Sequence, residues 1–233
     1  MESEYKWEGV WREDSYALAS TRSLKARRKL CEFEAHGVDL SRLGRVLELG
    51  CGSCDFILEL NRRGASIDQY LGVDRSATAL VRASAQLGEA PSFVLHNGDV
   101  SKLPVPDGFA NTIIALGLIE HIRDADALLS EIDRAAAPGC LVLISTSNSK
   151  SFMYSARRIR EIIDQWPYGY QKNYSPERFS DFISSRFDVI RVSAIHGDSD
   201  FPLITSMDKA AGLLSPDWGR YILLSAKKGG RHE

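Results

Sequence analysis

Residues 46–56 read VLELGCGSCDF. The run opens apolar around Glu48, breaks at Gly50 and Gly52, and then offers Ser53, Cys54 and Asp55. A glycine turn that closes a buried strand lets a ligand come close to the backbone, so the rest of the chain decides which ligand this is. A dinucleotide fold wants G-x-G-x-x-G, with the pyrophosphate on the helix N-terminus. Counted from Gly50, the third glycine falls at Asp55, whose carboxylate repels a pyrophosphate. A ligand without phosphates meets no such repulsion.

On either side of that turn the elements alternate. Residues 16–36 lack Gly and Pro and predict a helix closed by Gly37; RVLELG is a buried strand, and a helix over 54–63 stops at Gly64. YLGVD (70–74) predicts a second strand, 76–88 a second crossover helix, SFVLHNGD a third strand, NTIIAL (111–116) a fourth, 124–136 a helix, and CLVLIST after Pro138-Gly139 a fifth strand. The last third predicts a helix over 151–165, an aromatic loop WPYGYQKNYSP, a short helix from Glu177, and the strands FDVIRVSAI and RYILLSAK. Such alternation implies right-handed crossovers and a parallel sheet. The expected architecture is a Rossmann-like α/β fold: a doubly wound, mostly parallel seven-stranded sheet in one domain spanning 1–233. It divides into an N-terminal helical cover (1–40), a cofactor-binding core (41–146), an acceptor-side insertion after the fifth strand (147–185) and final strands (186–233).

Composition narrows the partners. With 44% hydrophobic and 26% charged residues and a formal charge of -2, the chain has the balance of a soluble globular domain and no general attraction for polyanions. Nucleic acid is not expected. No stretch reaches membrane-spanning length, and MESEYKWEGVW has no basic start followed by an apolar run, so a cytoplasmic, unprocessed chain is expected. Cys31, Cys51, Cys54 and Cys140 are too scattered for a disulfide scaffold. Cys51 and Cys54 form a C-x-x-C pair, but neither Cys31 nor Cys140 supplies further ligands at zinc spacing, so no metal is expected. The sequence assigns no oligomeric state.

The carboxylates choose the ligand. Asp74 ends the second strand 24 residues beyond Gly50, where it is placed to accept from two ribose hydroxyls. Asp99 follows the third strand, so strand ends bring Glu48, Asp55, Asp74 and Asp99, and no cation, to one rim. That suits a neutral or cationic ligand carrying a ribose. The runs ELGCG, LGVDRS, NGDVSKLPVPDGFANTIIALGLIEHI and LLSEIDRAAAPGCLVLIS, in register over roughly 40–146, resemble the class I S-adenosylmethionine-dependent methyltransferases, in particular the small-molecule group. Cys54 stands where their glycine loop has its third glycine, a departure expected to affect helix packing more than binding. The resemblance implies S-adenosyl-L-methionine as cofactor, with Gly50 and Gly52 bordering the methionine moiety, Asp74 at the ribose, Asp99 and the Val100 backbone at the adenine, and Leu116 and Gly117 beside the amino-acid part; Glu48, Cys51 and Arg75 are further candidate cofactor contacts. It implies methyl transfer to a small-molecule acceptor through an O, N or C nucleophile, with natural-product or aromatic metabolites in view.

Acceptor-facing candidates come from the extra segments. Tyr5, Trp7, Trp11 and Tyr16 lie in front, and Phe152, Tyr154, Trp166, Tyr168, Tyr170 and Tyr174 behind; each alone reads as packing, but together they suggest an enclosed aromatic pocket. Of these, Trp11, Tyr16, Tyr154, Trp166 and Tyr170 are the candidate acceptor contacts. The basic run RSLKARRKL (22–30) and the pair Arg157-Arg158 read as solvated helix faces in preference to counter-charges for an acidic acceptor. His121, just beyond the fourth strand, is the candidate general base if the reaction uses one, and His196 is second; the competing reading makes His121 a helix cap or a pocket wall. Three other enzyme classes fit less well. A nicotinamide oxidoreductase lacks its third glycine, a base-amine methyltransferase would carry an Asn- or Asp-Pro-Pro-aromatic run where this chain has LGLIEH, and an aminopropyl transferase would carry a G-G-G-D-G type loop. A non-catalytic S-adenosylmethionine-binding interaction subunit has no sequence feature against it.

Overall fold

The computed structural model describes residues 8–12, 19–88, 92–163, 166, 168–196 and 202–229. Tyr5, Trp7 and Tyr16 lie outside them. The strands are β1 (Arg42–Leu49), β2 (Ser66–Asp74), β3 (Phe93–Asn97), β4 (Ala110–Leu116), β5 (Ala136–Ser147), β6 (Asp188–Ile195) and β7 (Tyr221–Lys227). They form one sheet in the order β3-β2-β1-β4-β5-β7-β6, with β1 to β5 parallel and β7 antiparallel to both neighbours. This is the expected Rossmann-like sheet.

The helices are α1 (Ala19–Ala35), α2 (Asp55–Arg62), α3 (Ala77–Leu87), α4 (Ala125–Ala135), α5 (Phe152–Ile162), α6 (Pro176–Ser184) and α7 (Pro202–Leu214). One face of the sheet packs Leu30 and Phe33 of α1, Phe56, Ile57 and Leu60 of α2 and Ala83 of α3. The other packs Leu128, Leu129 and Ile132 of α4 and Phe179 and Ile183 of α6. With both faces covered, β1 is continuously buried from Val46 to Leu49, which is why VLEL reads as a run and not an alternation.

The chain runs outward from β1 to β3 and then crosses back to place β4 on the other side of β1. That reversal opens a crevice at the carboxyl ends of β1 and β4, where ligands of open α/β sheets bind. Register delivers the site residues there: Leu49 pairs with Val73 and Glu48 with Ile114, so Gly50, Asp74 and Leu116 emerge on the same edge. The sequence reading missed α7 altogether and began β5 after Pro138-Gly139, whereas the strand starts at Ala136.

Candidate active site

The glycine turn is pinned to the end of β2. The N–H groups of Gly50 and Cys51 both donate to the Val73 carbonyl, at 2.8 and 3.2 Å. Gly50 (φ 64°) and Gly52 (φ 52°) are left-handed, and so is Cys54 (φ 62°), the single non-glycine with positive φ among the described residues. The turn therefore needs a third left-handed residue where Cys54 stands, at a cost glycine would avoid. Cys54 Sγ lies 3.1 Å from the Tyr70 hydroxyl, which donates to Glu48 at 2.7 Å. Contact with Cys54 and then burial push the Cys51 thiol upward, so neither the thiolate nor a redox role is favoured there.

Asp74 holds this turn in shape. Its Oδ2 accepts from Gly52 N–H at 2.8 Å and its Oδ1 from Ser76 N–H at 2.9 Å. Burial raises its pKa against the pull of these donors. Each carboxylate oxygen can still accept a second hydrogen bond, as a ribose diol would require. Glu48 lies beneath the turn and not on the rim; burial pushes its carboxyl up to about 8 despite the Tyr70 bond.

The rim also differs from the expected cation-free carboxylate cluster. Arg22 donates to Asp55 at 2.9 Å and Arg75 to Asp99 at 2.9 Å. Sequence spacing shows the acids because they follow strands; it cannot show an arginine arriving from α1, 33 positions away.

Two cavities meet at this edge. The smaller, of about 140 Å³, is walled by Gly50, Asp74, Arg75, Val100, Leu116 and Gly117. Of the proposed cofactor contacts, Glu48, Cys51, Gly52 and Asp99 do not line it. Gly52 is covered instead: a Cβ there would come within 2.7 Å of the Trp11 ring. Trp11 belongs to a helical segment, 8–12, anchored by Glu8, which accepts from Ser76 Oγ at 2.6 Å and from Thr78 Oγ1. Trp11 and Tyr170, read from the sequence as acceptor contacts, both line this smaller cavity. The burial of Trp11 follows from its flat ring seating on a glycine that has no side chain to displace it.

The larger cavity, of about 250 Å³, is lined by Tyr154, Trp166 and His196 among others. His196 packs its ring on Gly212 of α7, and its Nδ1 is buried without a hydrogen-bond partner. Phe152 and Tyr174, by contrast, are packing residues, against Trp218 and against Phe179 and Phe182. Leu116, Gly117, His121 and Tyr168 line both cavities and form their common wall. His121 does not cap α4, since Asp124 fills that role by accepting from Ala127 N–H at 2.9 Å. Its Nδ1 lies 3.0 Å from the Tyr170 carbonyl, which can only accept, so the neutral ring carries its lone pair on Nε2.

Two residues of the larger cavity were missed. Glu120 is 3% exposed; Ser147 Oγ donates to its Oε1 at 3.1 Å, while its Oε2 is buried without a partner. Lys29 reaches across from α1 to donate to Ser145 Oγ at 3.1 Å, and burial pulls its ammonium down to about 8. For Glu120 a signal was present, a lone carboxylate inside the apolar run LGLIEHI. The basic run was visible too, but not the way its charges divide. Arg22 and Arg27 turn to Asp55 and Glu59 of α2, whereas Lys25, Arg28 and Lys29 line the larger cavity.

The profile of one family, described as a methyltransferase domain, matches residues 18–187 of this chain. The chain belongs to that methyltransferase family. Membership carries S-adenosylmethionine as the cofactor, and the lining of the smaller cavity suits parts of it chemically: a diol acceptor in Asp74, glycine backbone at Gly50 and apolar walls at Val100 and Leu116. Among curated methyltransferases, a "probable S-adenosylmethionine-dependent methyltransferase" of Mycolicibacterium smegmatis is 33% identical over 129 residues, covering 52% of this chain and 47% of that protein. A ubiquinone biosynthesis O-methyltransferase of Rhodopseudomonas palustris is 28% identical over 125 residues, covering 52% and 48%. The chain thus matches about half the length of these relatives. Among solved methyltransferases, one from Thermotoga maritima, described as a possible histamine N-methyltransferase, superposes with a TM-score of 0.68 at 16% identity over 96% of this chain and 99% of its own. At that identity the likeness concerns the fold alone.

Proposed function

We propose that this methyltransferase moves a methyl group from S-adenosylmethionine in the smaller cavity to a proton-bearing small-molecule acceptor, foremost an oxygen acid, in the larger one. The observation that carries this reading is the common wall of Leu116, Gly117, His121 and Tyr168 between the two spaces. The cofactor, when bound, supplies an already electrophilic methyl on a sulfonium. The protein's main task is then to hold the acceptor in line, and orientation of this kind supplies roughly 7 to 11 kcal/mol in favourable cases.

An oxygen acid attacks only once its proton is removed. His121 stands on the common wall with Nε2 as its basic nitrogen, and the Tyr170 carbonyl fixes that tautomer. Glu120 adds a buried acceptor oxygen in the same cavity, suited to a hydroxyl donor on the substrate. The ubiquinone-biosynthesis relatives, named as O-methyltransferases, support oxygen as the first choice of nucleophile.

The test is incubation with cofactor carrying a trideuterated methyl group and a metabolite extract, followed by mass spectrometry of the products. A labelled methyl ether or ester is expected. Cofactor binding without any labelled product would refute the transferase reading, and a labelled amine or carbon acid would refute the choice of oxygen.

A further inference from the structure

The larger cavity has a charge balance unlike that of the chain as a whole. Five cationic side chains line it, Lys25, Arg28, Lys29, Arg157 and Arg220, against a single carboxylate among its described residues, Glu120. The whole chain carries a formal charge of -2, so this is a local concentration of positive charge. Lys25, Arg28 and Lys29 stand at i, i+3 and i+4 on α1, hence on one helix face. Solvent exposure accounts for Lys25, but not for the deeper groups. Arg157 on α5 is 4% exposed, and its Nε makes no hydrogen bond but sits in an ion pair with Glu161 Oε1. Its guanidinium has Glu161 at 3.4 Å, donates to the Gln171 carbonyl at 3.3 Å, and lies over the Tyr154 and Trp166 rings at 5.2 and 5.8 Å.

A buried charge is costly unless paired, and a second one facing the same space costs more. Burial is the main force against the Lys29 ammonium; Glu120 favours it and Lys25 opposes it. An anion entering the cavity offsets the like charges of Lys25 and Lys29 and adds a second counter-charge for Arg157 beside Glu161. Glu120 acts as a counter-charge to Lys29 and Arg157, and its Oε2 makes no hydrogen bond, leaving it able to accept one from a ligand donor.

Resting on the reading of this cavity as the acceptor site, we propose that the acceptor carries an oxyanion, a carboxylate or a phosphate, held by Lys25, Lys29 and Arg157, and a separate hydrogen-bond donor met by Glu120. A guanidinium with open donors suits either anion.

The experiment measures thermal unfolding of the full chain saturated with S-adenosylhomocysteine, titrated with inorganic phosphate or benzoate at constant ionic strength against chloride. Either anion at about ten times its dissociation constant is expected to raise the wild-type midpoint by roughly 3 °C beyond chloride. The rise should fall at least threefold in Lys29→Met and in the exposed pair Lys25→Gln/Arg28→Gln, which spares the buried core. Phosphate and benzoate effects of unequal size assign the anion. No rise in the wild type, or an equal rise in wild type and variants, overturns the proposal, as does a labelled product that is neutral or cationic at neutral pH. Stabilisation by S-adenosylhomocysteine alone is read separately, so its failure counts against the cofactor site and not against the anion site.

Discussion

Replacing Asp74 by asparagine keeps the shape of the side chain and removes two things, the negative charge and the ability to accept on both of its terminal atoms. The carboxylate accepts from Gly52 N–H at 2.8 Å and Ser76 N–H at 2.9 Å, so the amide leaves one of these donors facing another donor. Leaving a buried N–H unsatisfied costs about 1 to 3 kcal/mol, and the apo protein should lose that much stability in urea unfolding. Binding suffers in addition, because the ribose hydroxyls would meet a neutral amide. A hydrogen bond to a charged group contributes about 1.5 to 3 kcal/mol, so a net loss of one such bond weakens S-adenosylhomocysteine by about 10- to 150-fold. Isothermal titration reads this directly. The pH dependence has a definite sign: burial raises the Asp74 pKa, so wild-type affinity is complete above that value and declines as the pH falls through it, while Asp74→Asn shows no such decline. A folded variant with unchanged stability and an affinity within threefold of wild type would refute both roles of this carboxylate.

With the true acceptor, His121→Ala should lower kcat by about 10²- to 10⁴-fold with cofactor affinity nearly intact, and a fall of under threefold would leave alignment as the mechanism. Cys54 pairs a left-handed backbone with a thiol near Tyr70, so both Cys54→Ala and Cys54→Gly lose the thiol, but only glycine relieves the backbone. Cys54→Gly should therefore be more stable than Cys54→Ala by about 1 kcal/mol in chemical denaturation. His36 is buried between Ser225 Oγ at 3.0 Å and Ser193 Oγ at 2.9 Å, and burial lowers its pKa, with Glu32 and Arg191 acting in opposite directions. The unfolded chain then takes up the proton first, so stability is lost as the pH falls below about 6.5 and through the lowered folded value. His36→Gln should flatten that part of the stability profile.

The parallel core was legible because β1, β3 and β4 run straight into Gly50, Gly98 and Gly117, and because VLEL and TIIAL are buried on both faces. α7 was not, since Pro202 and Gly212 bracket a stretch whose exposed Leu203 and Leu213 leave no clean periodicity. Within the site, Asp74, marked out in the sequence by its distance to Gly50, lines the smaller cavity, whereas Asp99 is an exposed partner of Arg75 that lines neither. The aromatic segments announced a pocket without saying which ring faces which space. Tyr154 and Tyr170 come from one stretch of chain, yet the first lines the larger cavity and the second the smaller, because the loop crosses the common wall between them. The basic run hid its meaning for a simpler reason: a helix face is a property of the neighbour it meets.

The common wall also sets how specificity can diversify. On one side of it the lining comes mainly from strand ends and the turns that follow them, positions whose backbone is fixed by sheet register, with Trp11, Tyr168 and Tyr170 added from outside the sheet. On the other side it comes mainly from α1, from 147–173 and from the ends of β6 and β7, stretches that hold no part of the glycine turn. Mutations on α1 and α5 reshape the second room at positions that do not line the first, so a descendant of this chain can exchange one metabolite for another without relearning its methyl donor. Only Leu116, Gly117, His121 and Tyr168 answer to both, and drift should be slowest at those positions.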